Sequence, residues 1–132
     1  MSKQNQQSHY QRPKNAKELV QRYNAGERYF RDIDVNGSNL RGSTLAGATF
    51  ENGLLSEVDF SGANLRCVSF LDCNVKCSDF RGANVEGAIF KGSLLEATCF
   101  ENANLADVSF AGAYAYGYEL KDGDGPDAQG WF

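Results

Sequence analysis

Few side chains in this 132-residue chain have the types and spacing that chemistry needs. His9 is the single histidine, and it sits in a polar leader with no carboxylate close in sequence to orient it. General acid–base catalysis therefore has no second group to work with, and His9 reads as solvated. Cys67, Cys73, Cys77 and Cys99 are an even number of cysteines, but none of them form a C-x-x-C pair of the kind that holds zinc or cycles as a dithiol. In extended chain, Cys73 and Cys77 would have their Cα atoms about 13 Å apart, beyond the roughly 7 Å that a disulfide spans. The segment Asp122-Gly123-Asp124-Gly125-Pro126-Asp127 opens like a calcium loop, yet it lacks the later bidentate glutamate and is broken by Pro126, so a solvated turn is expected. Asp59 and Asp79 are the remaining pair of interest, because stacked carboxylates can serve acid–base work or cation binding. Whether they stack depends on the elements between them.

Bulk properties exclude other classes. Thirteen basic residues against seventeen acidic give a net charge of -4, so no positive field would draw in a phosphate backbone, and direct nucleic-acid binding is not expected. No run approaches the roughly 18 apolar residues of a membrane span. The chain is the size of one domain, and its cysteine usage suits a reducing cytoplasm.

The organising signal is an internal repeat of five residues. Phe30, Val35, Leu40, Leu45, Phe50, Leu55, Phe60, Leu65, Phe70, Val75, Phe80, Val85, Phe90, Leu95, Phe100, Leu105 and Phe110 fall in one register, and all seventeen are large and apolar. Two residues before each, the side chain is commonly small, as at Ala48, Ala63, Cys73, Ser78, Ala83, Ala88, Ser93 and Ala103. Two residues after, glycine is commonest, with asparagine at Asn52 and Asn102. An α-helix would scatter such residues around its surface, since five residues turn roughly 140° from the start. A straight strand would point every second one into water. A chain that bends once per unit directs all of them to one axis, and glycine or asparagine suits the bend because type II turns need φ > 0.

The number of corners per coil follows from the kind of residue. Phenylalanine occupies every second central position from Phe50 to Phe110, so a four-sided coil stacks Phe30, Phe50, Phe70, Phe90 and Phe110 in one column, whereas a three-sided coil mixes residue types. At a spacing of twenty, the outward residues pair Arg31 with Glu51, Arg66 with Glu86, Lys76 with Glu96 and Arg81 with Glu101, all opposite in charge. Adjacent rungs lie about 4.8 Å apart, close enough for ion pairs worth roughly 0.2–1 kcal/mol each. On this geometry Asp59 lies over Asp79, with Arg41 and Arg81 beside them as screening charges on a flat wall, and no enzymatic site follows. Asn64, Asn84 and Asn104 form a ladder expected to bond side chain to side chain. Cys73 takes a small inward slot, while Cys67, Cys77 and Cys99 fall at outward or corner positions.

Stretches such as Ala63-Asn64-Leu65-Arg66, Ala83-Asn84-Val85-Glu86 and Ala103-Asn104-Leu105-Ala106 resemble the A(D/N)LXX units of pentapeptide repeat proteins, from about Phe30 to Phe110. The resemblance implies an all-β solenoid, a right-handed quadrilateral β-helix. It implies no single function. Some longer family members imitate DNA and bind type II topoisomerases.

The expected organisation is a disordered polar leader over 1–14, a short capping α-helix over 15–26, about four coils over 27–113, and an aromatic C-terminal cap with an acidic glycine-rich tail over 114–132. Asn15 with Glu18 has capping-box spacing, Ala16, Leu19, Val20 and Tyr23 make one helical face, and Gly26 fits the stop. Tyr114, Tyr116 and Tyr118, with Trp131, are expected to cover the last coil, or else to form an end-to-end dimer interface. The sequence thus points to a non-enzymatic protein-interaction or scaffold module with an unassigned protein partner and with no catalytic residue, cofactor or metal. It would be a monomer or a weak end-to-end homodimer. Its candidate surface comprises Asp59, Asp79, Arg81, Glu101, Tyr114, Tyr116 and Tyr118. The alternative, carried by the resemblance alone, is a DNA-mimic modulator of a type II topoisomerase.

Overall fold

A computed structural model describes residues 9–132. Its recurring event is a bend two residues after each central apolar residue. All seventeen such positions, from Asp32 to Gly112, have positive φ, although only eight of them are glycine. Asp, Asn, Glu, Cys and Ala fill the others, including Cys67 at 58° and Ala97 at 60°. The left-handed conformation disfavours Cβ, so the backbone is held there by its neighbours above and below.

Those neighbours are twenty residues away in sequence. Strands β1 (Tyr29–Arg31), β2 (Thr49–Glu51) and β3 (Ser69–Leu71) pair in parallel, with Phe30 opposite Phe50 and Phe50 opposite Phe70. Single-residue parallel bridges repeat the spacing elsewhere, as in Asp59 with Asp79 and Asn84 with Asn104. Twenty residues make four units, so each coil has four walls. Wall A runs through the Phe30 column, wall B through Val35, Leu55, Val75 and Leu95, wall C through Leu40, Phe60, Phe80 and Phe100, and wall D through Leu45, Leu65, Val85 and Leu105.

Sixteen of the seventeen central residues are buried. Rings stack along the axis at centroid distances of 4.9 Å for Phe70–Phe90 and 4.7 Å for Phe80–Phe100, and the two phenylalanine columns meet edge to face. Leu105 departs from the expected core set: it is half-buried, because the chain leaves wall D after Ala106 and lays no further rung over it. Inward polar groups are satisfied. The Ser78 hydroxyl accepts from the Val58 amide at 3.1 Å, and the Ser93 hydroxyl accepts from Cys73 N–H and donates to the Phe70 carbonyl.

Each end is closed by its own device. Helix α1 (Ala16–Asn24) starts at Asn15, whose side-chain oxygen accepts from the Glu18 amide at 2.9 Å. Its buried Leu19 and Tyr23 face the core, and the Tyr23 hydroxyl donates to the Ala46 carbonyl at 2.7 Å. Ahead of it, Tyr10 hydroxyl donates to the Arg31 carbonyl and accepts from the Arg31 amide, and Pro13 is buried. Residues 10–14 are therefore docked on the first coil rather than disordered, because Tyr10 replaces the rung that β1 would otherwise lack. The rest of the expected leader, 1–8, lies outside the described residues.

At the other end β4 (Tyr114–Ala115) and β5 (Tyr118–Glu119) form an antiparallel hairpin. The tyrosines do not cover the last coil: Tyr116 and Tyr118 are 70% and 55% exposed. Leu120 and Phe132 do so instead, with the Phe132 ring centred 4.9 Å from that of Phe110 and 6.0 Å from that of Phe100. The tail returns antiparallel to wall C, where the Phe100 amide donates to the Gly130 carbonyl at 2.6 Å and Cys99 bridges Trp131. Gly130 is required there, since a Cβ would come within 2.5 Å of the Glu101 nitrogen.

Candidate functional site

The walls carry the polar groups. On wall D, Arg66 and Glu86 form their cross-rung ion pair at 3.1 Å, and on wall B Lys76 and Glu96 do so at 3.0 Å. The other two expected pairs rearrange. Arg31 turns to Asp32 at 3.3 Å while the Tyr29 hydroxyl donates to Glu51, and Arg81 turns to Asp79 rather than Glu101. The reason is proximity: Asp79 lies two residues before Arg81 on the same extended rung and meets the guanidinium through both oxygens, Nε to Oδ1 at 3.0 Å and Nη2 to Oδ2 at 2.7 Å.

This exchange shapes wall C. Hydrogen bonds from Arg81 hold the Asp79 carboxyl below the usual carboxylate range, and Asp79 also accepts from the Arg81 amide. Asp59, one rung away, accepts from the amide and hydroxyl of Ser61 at 2.9 and 2.6 Å. Among the described residues, neither Glu101 nor Arg41 has an ion-pair partner within 4 Å. A shallow trough of about 560 Å³ runs between them, lined by Arg41, Asp59, Ser61, Asp79, Arg81 and Glu101. The expected site residues Asp59, Asp79, Arg81 and Glu101 thus share one wall. Tyr114 lies on wall B at the same end, and Tyr116 and Tyr118 project from the hairpin that it begins.

The asparagine ladder is mostly something else. Oδ1 of Asn64, Asn84 and Asn104 each accepts from the amide two residues on, a turn-like bond within the rung, and one cross-rung bond joins Asn104 to Asn84 at 3.2 Å. Cys99, expected to face outward, is buried because the returning tail covers it, whereas Cys67 and Cys77 are exposed corners. Burial pushes the Cys73 thiol up to about 12. His9 is exposed, and among the described residues no group of three His, Cys, Asp or Glu side chains gathers as a metal site.

Two roles were missed from sequence: that of Tyr116, expected only as a cap or surface residue, and that of Phe132. Tyr116 hydroxyl accepts from the Ala97 amide at 3.2 Å and donates to the Phe132 carbonyl at 3.1 Å, so a phenol replaces a missing rung and latches the tail. Phe132 continues the aromatic core. Its only signal was a phenylalanine about one coil beyond Phe110.

A family model described as pentapeptide repeats matches residues 54–92 in eight copies. This stretch thus carries pentapeptide repeats, and the chain is similar to pentapeptide repeat proteins. A pentapeptide repeat protein (Rfr23) from the cyanobacterium Cyanothece 51142 superposes on it with a TM-score of 0.51 at 23% identity, over 71% of this chain and 60% of that one. The chain therefore spans about three-fifths of that relative's length. A pentapeptide repeat protein of the Arabidopsis thaliana thylakoid lumen matches with a TM-score of 0.50 at 27% identity, over 68% and 70% of the two chains. QnrB1, a plasmid-mediated fluoroquinolone resistance protein, is 18% identical with a TM-score of 0.44 over 68% of this chain and 59% of that one. The search of curated proteins found no match. The fold is the right-handed quadrilateral β-helix that these structures share, no enzymatic family is indicated, and no helix among the described residues is long and apolar enough to cross a membrane.

Proposed function

We propose that the protein is a rigid, non-enzymatic interaction module that engages a protein partner through wall C. The observation that carries this reading is the rearranged ion pairing: with Arg81 held by Asp79, the Glu101 carboxylate and the Arg41 guanidinium have no ion-pair partner within 4 Å among the described residues, on a stacked backbone that cannot collapse to bring one closer. Charges held apart on a shallow wall favour a partner of complementary pattern and penalise others. Tyr114, Tyr116 and Tyr118 would extend the surface around the corner between walls B and C. End-to-end pairing would use this tyrosine edge, since α1 and Tyr10 close the other end. Free thiols at Cys67 and Cys77 suit a cytoplasmic setting.

A DNA-like reading has weaker support. Acids on wall C alternate with Arg41 and Arg81, and Glu86 and Glu96 are paired across rungs, so no continuous acidic row imitates a phosphate backbone. A photo-crosslinking residue at Ser61, used in the host cell, should capture a protein that Glu101→Lys releases without changing the melting temperature, and that Arg81→Glu also releases with a small loss of stability from the broken Asp79 pair. Capture unaffected by both reversals would remove wall C from the interface.

A further inference from the structure

Wall D ends with an open backbone edge. In each earlier coil its upward-facing groups are paired: the Val85 amide donates to the Asn104 carbonyl, the Gly87 amide to Ala106, and the Asn104 amide to the Ala83 carbonyl. One coil later the same three groups are the Leu105 and Asp107 amides and the Ala103 carbonyl. Among the described residues nothing meets them. Wall C has no such vacancy at Phe100, because the tail supplies the Gly130 carbonyl.

Apolar surface lies beside this edge. Leu105 and Val108 are half-buried, and the tail arches past them without covering them. An opening of about 680 Å³ on one side is bounded by Phe100, Ala103, Leu105 and Trp131, and a second of about 320 Å³ on the other by Leu105, Val108, Phe110 and Asp124. The surroundings are acidic. From Glu101 onward the sequence carries six acids, Glu101, Asp107, Glu119, Asp122, Asp124 and Asp127, against Lys121 alone, which is already paired with Glu119 at 3.1 Å. The first coil of a second copy does not fit, because on wall D of that coil the Tyr23 hydroxyl already occupies the Ala46 carbonyl.

We propose that the open edge of wall D binds an extended segment of a partner protein in parallel register, one apolar side chain flanked by lysine or arginine. The residue before the apolar one donates its amide to Ala103 and accepts from Leu105, as Asn104 does with Ala83 and Val85. The residue after it accepts from Asp107, as Ala106 does from Gly87. The apolar side chain lies on Leu105 as Leu105 lies on Val85, and the basic residues meet Asp107 and the tail acids.

The test uses the full chain and a fluorescein-labelled pentapeptide with a central leucine between two arginines and two lysines. Anisotropy should report saturable binding, and amide exchange by NMR should slow at Leu105 and Asp107. The double variant Asp107→Asn with Asp122→Asn touches no internal hydrogen bond of either side chain and should weaken binding by about three- to tenfold. Arg81→Glu on wall C should leave it unchanged, which separates this site from the surface proposed above. Absence of binding at millimolar peptide, equal affinity for a glutamate-flanked peptide, binding without protection of those two amides, or loss of binding in Arg81→Glu would each overturn the proposal.

Discussion

Cys73 shows how a single inward slot is fitted. Its thiol accepts from the Gly53 amide at 3.4 Å and lies 3.3 Å from the Phe50 carbonyl, so a small polar group enters an aromatic core with its hydrogen bonds met. Burial favours the protonated form, which raises its pKa from 9.0 to about 12. The folded state then holds a proton that the unfolded chain releases, so this contribution to stability is intact below pH 9.0 and is lost as pH rises toward about 12. Urea midpoints measured at pH 8 and at about pH 10.5 should fall more steeply for the wild type than for Cys73→Ala. Tyr29, also raised to about 12 by its hydrogen bond to Glu51, adds a slope of the same sign that the variant keeps. Reaction with a thiol reagent should label Cys67 and Cys77 quickly and leave Cys73 and Cys99 protected until the chain unfolds, since the latter two are buried.

At the scale of the repeat unit, the corner is where sequence and structure are least matched. Nine of the seventeen corners place a side chain at positive φ, a conformation that costs an L-residue roughly 1–2 kcal/mol. Ala97, at 60°, has no polar side chain to offset that cost. Ala97→Gly should relieve it, less the roughly 0.5–1 kcal/mol of extra freedom that glycine gives the unfolded chain, for a net gain of a few tenths to about 1 kcal/mol. Gly47→Ala is the converse. A Cβ there meets nothing within 4 Å, so a loss of about 1 kcal/mol would come from the backbone alone. Thermal melts of the two variants should shift in opposite directions, and a shift of the same sign in both would contradict the account.

The molecule as a whole is held by stacking. Phe70 contacts rings on every side: Phe50 and Phe90 along its column at 5.5 and 4.9 Å, and Phe60 and Phe80 edge-on at 6.0 Å. Phe70→Ala should therefore cost about 3–5 kcal/mol by opening a void in the middle of the stack. An unchanged melting temperature would contradict a shared dry axis. A solenoid joins each coil only to its neighbours, so its two ends decide whether it stays a single particle. Here side chains do much of that work. Tyr10, Tyr23 and Tyr116 each give a hydroxyl where a further coil, before the first for Tyr10 and Tyr23 and after the last for Tyr116, would have given a backbone group.

The five-residue register, its twenty-residue coil and the inward set from Phe30 to Phe100 were legible in the sequence, because each depends on residue type repeated at fixed spacing. So was the Asn15 cap, a local bond between residues three apart. Contacts that break the repeat were not. Arg81 could have turned to Glu101 on the next rung or to Asp79 on its own, and only the relative placement of three side chains selects Asp79. The covering of Cys99, the exposure of Leu105 and the seat of Phe132 depend on where the tail goes after Leu120. A periodic pattern determines the inside of a solenoid, since every coil poses the same packing problem. Its ends and its surface charge pattern are posed once each, and there the tertiary structure decides.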